Sequence, residues 1–299
     1  MTNIILLNPY AAGGRARKLL PLIQKWCGSQ SSLGVDAAIV MPESIQAALD
    51  ILKNAPPHSR IIVVGGDGTL NQMLPGLMQG NFQVGLVPYG SGNDCARAWG
   101  LHKMHCQEAL AFALKADTKP TDVGQVKLPD QSVHYFHSSL ALGFDASVGN
   151  KALEGPKFLT GLLRYLVATF RELSALKNWQ VRIAVDGQHL SEGSCLLAST
   201  LNTRTYGGGM PAVPHAQIDD GELNLLVAGQ FNRLQTLLML PRLLVGFHLG
   251  HSRIQTQAFK NADISSPTDL PIAADGETLG HTKHLRIEVL PRALQAVRI

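Results

Sequence analysis

IIVVGGDGTLNQML, residues 61–74, decides how the fold is read. Four β-branched residues run without a polar break. Gly65, Gly66, Asp67, Gly68 and Thr69 then precede a segment of helical spacing. An unbroken apolar run of strand length reads as a strand covered on both faces, as in a parallel sheet. A glycine turn from such a strand into a helix points backbone N–H groups and the positive helix end outward, which suits phosphate. The plain alternative is a tight turn between two elements. Asp67 fits neither reading easily, because an acid beside phosphate is repulsive unless a metal or a substrate hydroxyl lies between them. Thr69 is placed to cap the helix or to donate to a phosphate.

The same rhythm extends in both directions. Strand signals at Asn3–Leu7, Val35–Met41, Arg60–Val64 and Gln83–Val87 alternate with helical spacing at Arg15–Trp26, Ile45–Lys53, Leu70–Met78, Asn93–Trp99 and Cys106–Lys115. This predicts an α/β, doubly wound parallel-sheet domain over residues 1–120. Near Thr118-Lys119-Pro120 the pattern changes to short β runs at Asp122–Leu128, Val133–Leu142, Gln180–Val185, Ser194–Leu201, Leu223–Ala228, Arg253–Ala258 and Leu285–Leu290. Asp186-Gly187 is a hairpin signal. Residues 121–290 therefore read as an antiparallel β-sandwich domain, with the extreme C-terminus free to rejoin the first domain.

Two helical insertions interrupt the sandwich. In Lys157–Leu173, Leu159, Leu162, Leu163, Leu166, Phe170 and Leu173 share a face, and Lys157, Arg164 and Arg171 recur about 150° away. It reads as a surface helix packed on the sandwich, or else as a helix lying on an anionic bilayer. Arg233–His248 admits the same two readings.

Composition narrows the function classes. The 299 residues are 45% hydrophobic and 16% charged, which excludes a disordered chain. A net charge of +4 suits anionic ligands or acidic membrane surfaces. No Lys/Arg run exceeds a pair, so no nucleic-acid partner is expected. Cys27, Cys95, Cys106 and Cys195 form no CxxC pair and read as reduced thiols of a cytoplasmic protein. MTNIILLNPY lacks the basic start and cleavage site of a signal peptide. No apolar stretch reaches the roughly 18 residues that span a bilayer.

Two further turns join the first. VPYGSGNDCAR, residues 87–97, places Gly90, Ser91 and Gly92 between a strand and a helix, with Asn93 or Asp94 where the helix is capped. Asn8-Pro9-Tyr10-Ala11-Ala12-Gly13-Gly14 follows the first strand. On parallel strands all three lie at the carboxyl edge, where doubly wound sheets bind ligands. Neither a Walker A sequence nor GxGxxG is present.

NPYAAGG, GGDGTLN and PYGSGNDCAR resemble the three N-terminal motifs of the diacylglycerol kinase catalytic domain, most closely in the soluble bacterial lipid kinases related to sphingosine and ceramide kinases. GGDGT also occurs in NAD kinases, which share the nucleotide-domain fold; Pro88 to Asp94 favours the lipid kinases. The run from Asn202 through Gly207-Gly208-Gly209 and Pro214 to Asp219-Asp220-Gly221, and Asp275-Gly276-Glu277, are similar to later family motifs.

The resemblance implies an ATP-dependent lipid kinase acting on a diacylglycerol-like hydroxyl, with ATP and Mg²⁺ as cofactors. It implies peripheral contact with a membrane that supplies the lipid substrate, and it allows a homodimer. Nucleotide contacts fall on Asn8, Pro9, Tyr10, Gly65, Gly66, Asp67, Gly68, Thr69, Leu70, Asn71 and Ser91, with Asn93 and Asp94 beside them. The proposed base falls on Glu277, with Asp275 adjacent and Asp67 assisting at the phosphates. A structural Mg²⁺ falls on the Gln217 and Glu222 carbonyls and the Asp220 side chain, hard oxygens that suit it. Asp275-Gly276 and Asp219-Asp220-Gly221 are equally turn sequences. The family often has a threonine after its second strand; here Val40-Met41-Pro42 offers no hydroxyl before Ser44, and Ser91 stands for another threonine. The alternatives are an NAD kinase-like or other small-molecule kinase, and a lipid- or nucleotide-binding regulator without catalysis.

Overall fold

The computed structural model describes residues 2–31, 36–155 and 161–299. These form two compact units, Met1–Thr121 with Arg292–Ile299, and Asp122–Pro291.

In the first unit Asn3–Leu7 is β1, Ala38–Val40 β2, Arg60–Gly65 β3 and Gln83–Pro88 β4. All pair in parallel in the order β2-β1-β3-β4. Every residue of β3 is buried, as an unbroken apolar run requires when helices cover both faces of the sheet. Those helices are α1 (Leu20–Ser31), α2 (Ile45–Asn54), α3 (Asp67–Gln79), α4 (Asp94–Ala98) and α5 (Cys106–Lys115). The expected strand at 35–41 shortens to β2, and Val35 lies outside the described residues. The helix expected from Arg15 opens as a 3-10 turn over Arg15–Leu19 before α1. Ser44 caps α2 by accepting the Ala47 N–H, 3.1 Å.

The second unit contains most of β5 (Thr118–Lys127), then β6 (Val133–Phe136), β7 (Ser139–Leu142), α6 (Phe144–Glu154), α7 (Gly161–Glu172), β8 (Trp179–Val185), β9 (Gln188–Leu201), β10 (Leu223–Gly229), α8 (Arg233–Leu244), β11 (Ile254–Phe259), β12 (Asn261–Ala274) and the start of β13 (Glu277–Val297). β6 to β12 pair antiparallel with their neighbours, as do β5 with β6 and β12 with β13. The long strands β9 and β12 each pair β8 along one half and β7 along the other. Two strands thereby serve both layers of the sandwich, around one apolar core. Asp186 and Gly187 both take positive φ in the tight β8–β9 hairpin, with Val185 opposite Gln188.

The fold class is as the sequence predicted, with local differences. The run 133–142 is two strands, broken at His137-Ser138. β12 was not foreseen, because Ser265–Asp269 is polar and contains Pro267; the β12–β13 ladder is irregular there. α6 was not foreseen either, since Gly149 and Asn150 weaken its helical signal. Of the expected first insertion, Lys157 and Leu159 lie outside the described residues. Leu163 and Phe170, expected on its packed face, are exposed.

Candidate active site

The parallel register places the ends of β1, β3 and β4 side by side, with Leu7 opposite Val64 and Gly65 opposite Pro88. The three glycine turns meet at that edge. The Asn8 N–H donates to the Val64 carbonyl at 3.1 Å and the Tyr89 N–H to the Gly65 carbonyl at 2.8 Å. Asn8 Nδ2 donates to Thr69 Oγ1 at 2.7 Å, while Asn8 Oδ1 accepts the Tyr10 N–H at 2.9 Å. The glycines are fixed by packing. A Cβ on Gly65 would lie 2.7 Å from Thr69 Oγ1, and one on Gly90 would lie 2.6 Å from the Gly66 Cα. The first two turns are thus in backbone contact, which a side chain would prevent.

Asp67 stands in the first turn of α3, and its carboxylate bridges to the next helix. Oδ2 accepts the Asp94 N–H at 3.0 Å and Oδ1 the Cys95 N–H at 2.9 Å. This corrects the expectation that Asn93 or Asp94 caps α4. Asn93 sits at the cap position in the left-handed region, φ 56°, and its side chain closes the preceding turn instead, bonding the Gly90 N–H and carbonyl at 3.0 Å each. Asp94 is buried and paired with Arg97 at 3.6 Å. Thr69 is not the cap of α3 either: Gly66 holds that position, and the Thr69 hydroxyl accepts from Asn8. That leaves the hydroxyl proton available to another acceptor.

The other residues of this edge fall into two kinds. Pro9 and Leu70 are buried, and the Leu70 N–H already donates to the Gly66 carbonyl at 3.1 Å, so Leu70 supports the turn rather than facing a ligand. Tyr10 and Ser91 are exposed, and Gly66, Gly68 and Asn71 partly so. The Arg17 guanidinium lies over the Tyr10 ring at 5.6 Å. Ala12, Gly13 and Gly14 all take positive φ, which turns the first loop back on itself.

In the second unit Asp275 and Gly276 form a two-residue hairpin with positive φ at both, and Ala274 pairs Glu277. The Asp275 carboxylate holds three backbone N–H groups: His137 at 2.7 Å, Ser138 at 2.8 Å and Ser139 at 2.8 Å. It ties the hairpin to the break between β6 and β7. Glu277 is half-buried, and its carboxylate has no hydrogen-bond or ion-pair partner among the described residues. Gln217, Asp220 and Glu222 lie in and beside one turn. Asp220 Oδ1 accepts the Glu222 N–H at 3.1 Å, and buried Asp122 accepts the Gly221 N–H at 2.7 Å. Among the described residues no cluster of three His, Cys, Asp or Glu could hold a metal, so a cation here would need main-chain carbonyls.

One group escaped the sequence reading. A pocket lies beneath α7 and α8, its wall almost wholly apolar. Asp145 is its carboxylate. The Tyr165 hydroxyl donates to Oδ1, and Ser199 Oγ donates to Oδ2 at 2.9 Å. Burial raises the Asp145 carboxyl above its ordinary value, against the opposing pull of those hydroxyls; burial, then the neighbouring Asp145 charge, push Tyr165 well up as well. Nothing in the local sequence LGFDASV marks this aspartate; its burial comes from strands and helices distant in the chain.

Residues 2–126 match the diacylglycerol kinase catalytic domain, and residues 138–298 match the YegS C-terminal NAD kinase beta sandwich-like domain. A diacylglycerol kinase of Mycobacterium tuberculosis is 30% identical over 267 residues, 89% of this chain and 85% of that protein. The chain belongs to the diacylglycerol kinase family of lipid kinases. As a member of that family it is a phosphotransferase to an alcohol group. A probable YegS-like lipid kinase of Shewanella frigidimarina is 28% identical, over 80% of this chain and 76% of that one. The fold is that of a putative diacylglycerol kinase from Bacillus anthracis, with TM-score 0.76, 22% identity and coverage of 100% of this chain and 97% of that one. It also resembles an NAD kinase from Archaeoglobus fulgidus solved with ATP, at TM-score 0.53 and 13% identity over 97% and 90% of the two chains.

Proposed function

We propose that this lipid kinase transfers the γ-phosphoryl group of ATP to the hydroxyl of a diacylglycerol-like lipid. The observation that carries the reading is the meeting of three glycine turns at one sheet edge, bonded through Asn8 to Thr69 and through Asp67 to Asp94 and Cys95. The start of α3 offers backbone N–H groups and the positive helix end to the phosphates. Asp67 does not oppose them, because both its oxygens are turned onto the N–H groups of α4. The Thr69 hydroxyl donates to a phosphate oxygen, held in place by Asn8. Asp67 is here a positioning residue that sets the second turn against the first.

Glu277 takes the proton of the lipid hydroxyl as that oxygen attacks the γ-phosphorus and ADP leaves. Asp275 is unsuited to this, since its carboxylate already holds three N–H groups; it orients the hairpin that carries Glu277. Asp145 gives the apolar pocket beneath α7 and α8 its polar end, where the polar part of a lipid can hydrogen-bond while its chains fill the rest.

Mg²⁺ accompanies the nucleotide in this reading and would neutralise phosphate charge, with Asp67 able to accept from its bound water. A second Mg²⁺ fits the oxygen-rich turn at Gln217, Asp220 and Glu222, where one Asp220 oxygen is already used by the Glu222 N–H.

The test is transfer of labelled γ-phosphate from ATP to a panel of lipid alcohols in mixed micelles. Label is expected on a diacylglycerol-like acceptor, reduced by about a hundredfold or more in Glu277→Gln. Absence of transfer by wild type across the panel, with ATP bound, would sink the reading.

A further inference from the structure

α8 is apolar on two sides. Thr236, Met239, Leu240 and Leu243 line the pocket. At about 100° per residue, their direction is roughly opposite that of Leu234, Leu238 and Val245. Leu234 is 64% exposed, Leu238 64%, Val245 61% and Phe247 76%. A helix that merely covers a core turns polar residues outward. α8 instead covers an apolar pocket with one face and presents an aliphatic stripe with the other. α7 shows the same duality, since Tyr165 and Thr169 line the pocket while Leu163 and Phe170 are exposed.

The charge around the stripe selects its partner. Arg242 and Arg233 are exposed on the two flanks of α8, roughly 60° and 120° from the centre of the outer stripe, and the Arg233 guanidinium also donates to the Ser174 carbonyl at 2.5 Å. Between Glu222 and Asp263 the sequence contains no Asp or Glu, while Arg233, Arg242, Arg253 and Lys260 lie within it. Aliphatic side chains between flanking guanidinium groups fit the boundary of an anionic bilayer. The apolar stripe enters the acyl region and the arginines reach lipid phosphates.

We propose that the outer face of α8, with Val245 and Phe247 just beyond its end, docks on an anionic phospholipid bilayer. The helix that walls the pocket is then also the element touching the leaflet, so a lipid passes from bilayer to pocket without crossing water. The proposal rests on the lipid kinase reading for the meaning of the pocket, but its test does not.

Flotation of the full chain with phosphatidylcholine vesicles, with and without phosphatidylglycerol, measures the docking directly. Wild type should float with the anionic vesicles and much less with the neutral ones. The double variant Leu238→Ser, Phe247→Ser should bind them at least about tenfold more weakly. Arg242→Gln should weaken binding about fivefold and flatten its salt dependence. Transfer to a short-chain diacylglycerol dissolved as monomers should be unchanged in these variants, which also shows that they fold. No flotation of wild type, or equal flotation of the double variant, overturns the proposal. So does a concentration-dependent dimer that the double variant abolishes while wild type ignores vesicles, since the face would then join two copies. Failure of wild type to phosphorylate the soluble acceptor would count against the kinase reading and leave the flotation result standing.

Discussion

Two carboxylates in one hairpin have opposite surroundings. Asp275 holds three backbone N–H groups, whereas Glu277 has no protein partner among the described residues. Asp275→Asn should therefore cost stability, about 1–3 kcal/mol, because an amide NH₂ cannot accept the donors it replaces. Glu277→Gln should leave the melting temperature nearly unchanged and remove most of kcat. Calorimetry beside the transfer assay checks both; a stable, inactive Asp275→Asn would reverse the roles. Asp145 allows a pH test. Burial raises its carboxyl, so the native state holds that proton more tightly than the unfolded chain. The resulting stability is full below the ordinary value of about 3.9 and is lost as pH rises through the raised native value. Wild type should lose melting temperature relative to Asp145→Asn as pH climbs from about 4 to neutrality, and parallel curves would refute the shift. Asp275 and Glu277 were visible in the sequence as residue types in a turn dipeptide. Their different roles were not, because the donors to Asp275 lie more than a hundred residues away at His137–Ser139.

At the scale of elements, the starts of α3 and α4 form one unit through Asp67. Its carboxylate caps α4 from another helix, so Asp67→Ala leaves two N–H groups without that acceptor. The expected cost is about 1–2 kcal/mol, with weaker nucleotide binding as the second turn loosens. Denaturant unfolding and ATP titration measure the two effects, and an unchanged midpoint would show that water replaces the carboxylate freely. Most elements of the first unit were legible because their signals are local: Val63-Val64 before a glycine turn, Ser44 before Ile45, a helical period over Cys106–Lys115. β12 was illegible because its strand character comes from partners on both sides. Ser265–Asp269 would not form a strand alone, yet Ala262–Ser265 pairs β8 and Ile272–Ala274 pairs β7. The cap on α4 was misread for a similar reason: Asn93 and Asp94 are good capping residues, but the acceptor came from a residue 27 positions earlier.

At the scale of the whole molecule, the chain returns to its first unit at the end. Gln295 and Ala296 of β13 pair in parallel with Gln83 and Val84 of β4. Leu294, Ala296 and Val297 are buried there, and the Ile299 N–H donates to the Trp99 carbonyl at 3.1 Å. Removing Arg292–Ile299 should uncover the edge of β4 and cost about 3–6 kcal/mol from Leu294 and Val297 alone. The truncated chain should melt well below the full one and self-associate; equal melting curves would show the last strand to be dispensable. By itself the sequence determined the alternation of buried strand and helix, the glycine turns at the strand ends and the late antiparallel runs. Each of these is written in neighbouring residues, as hydrophobic period and turn chemistry. Only the tertiary structure decided which carboxylate is bound and which is open, where Asp145 is buried, and that α8 is apolar on both sides. These depend on which distant groups arrive within hydrogen-bonding or packing distance, and a linear pattern does not carry that information.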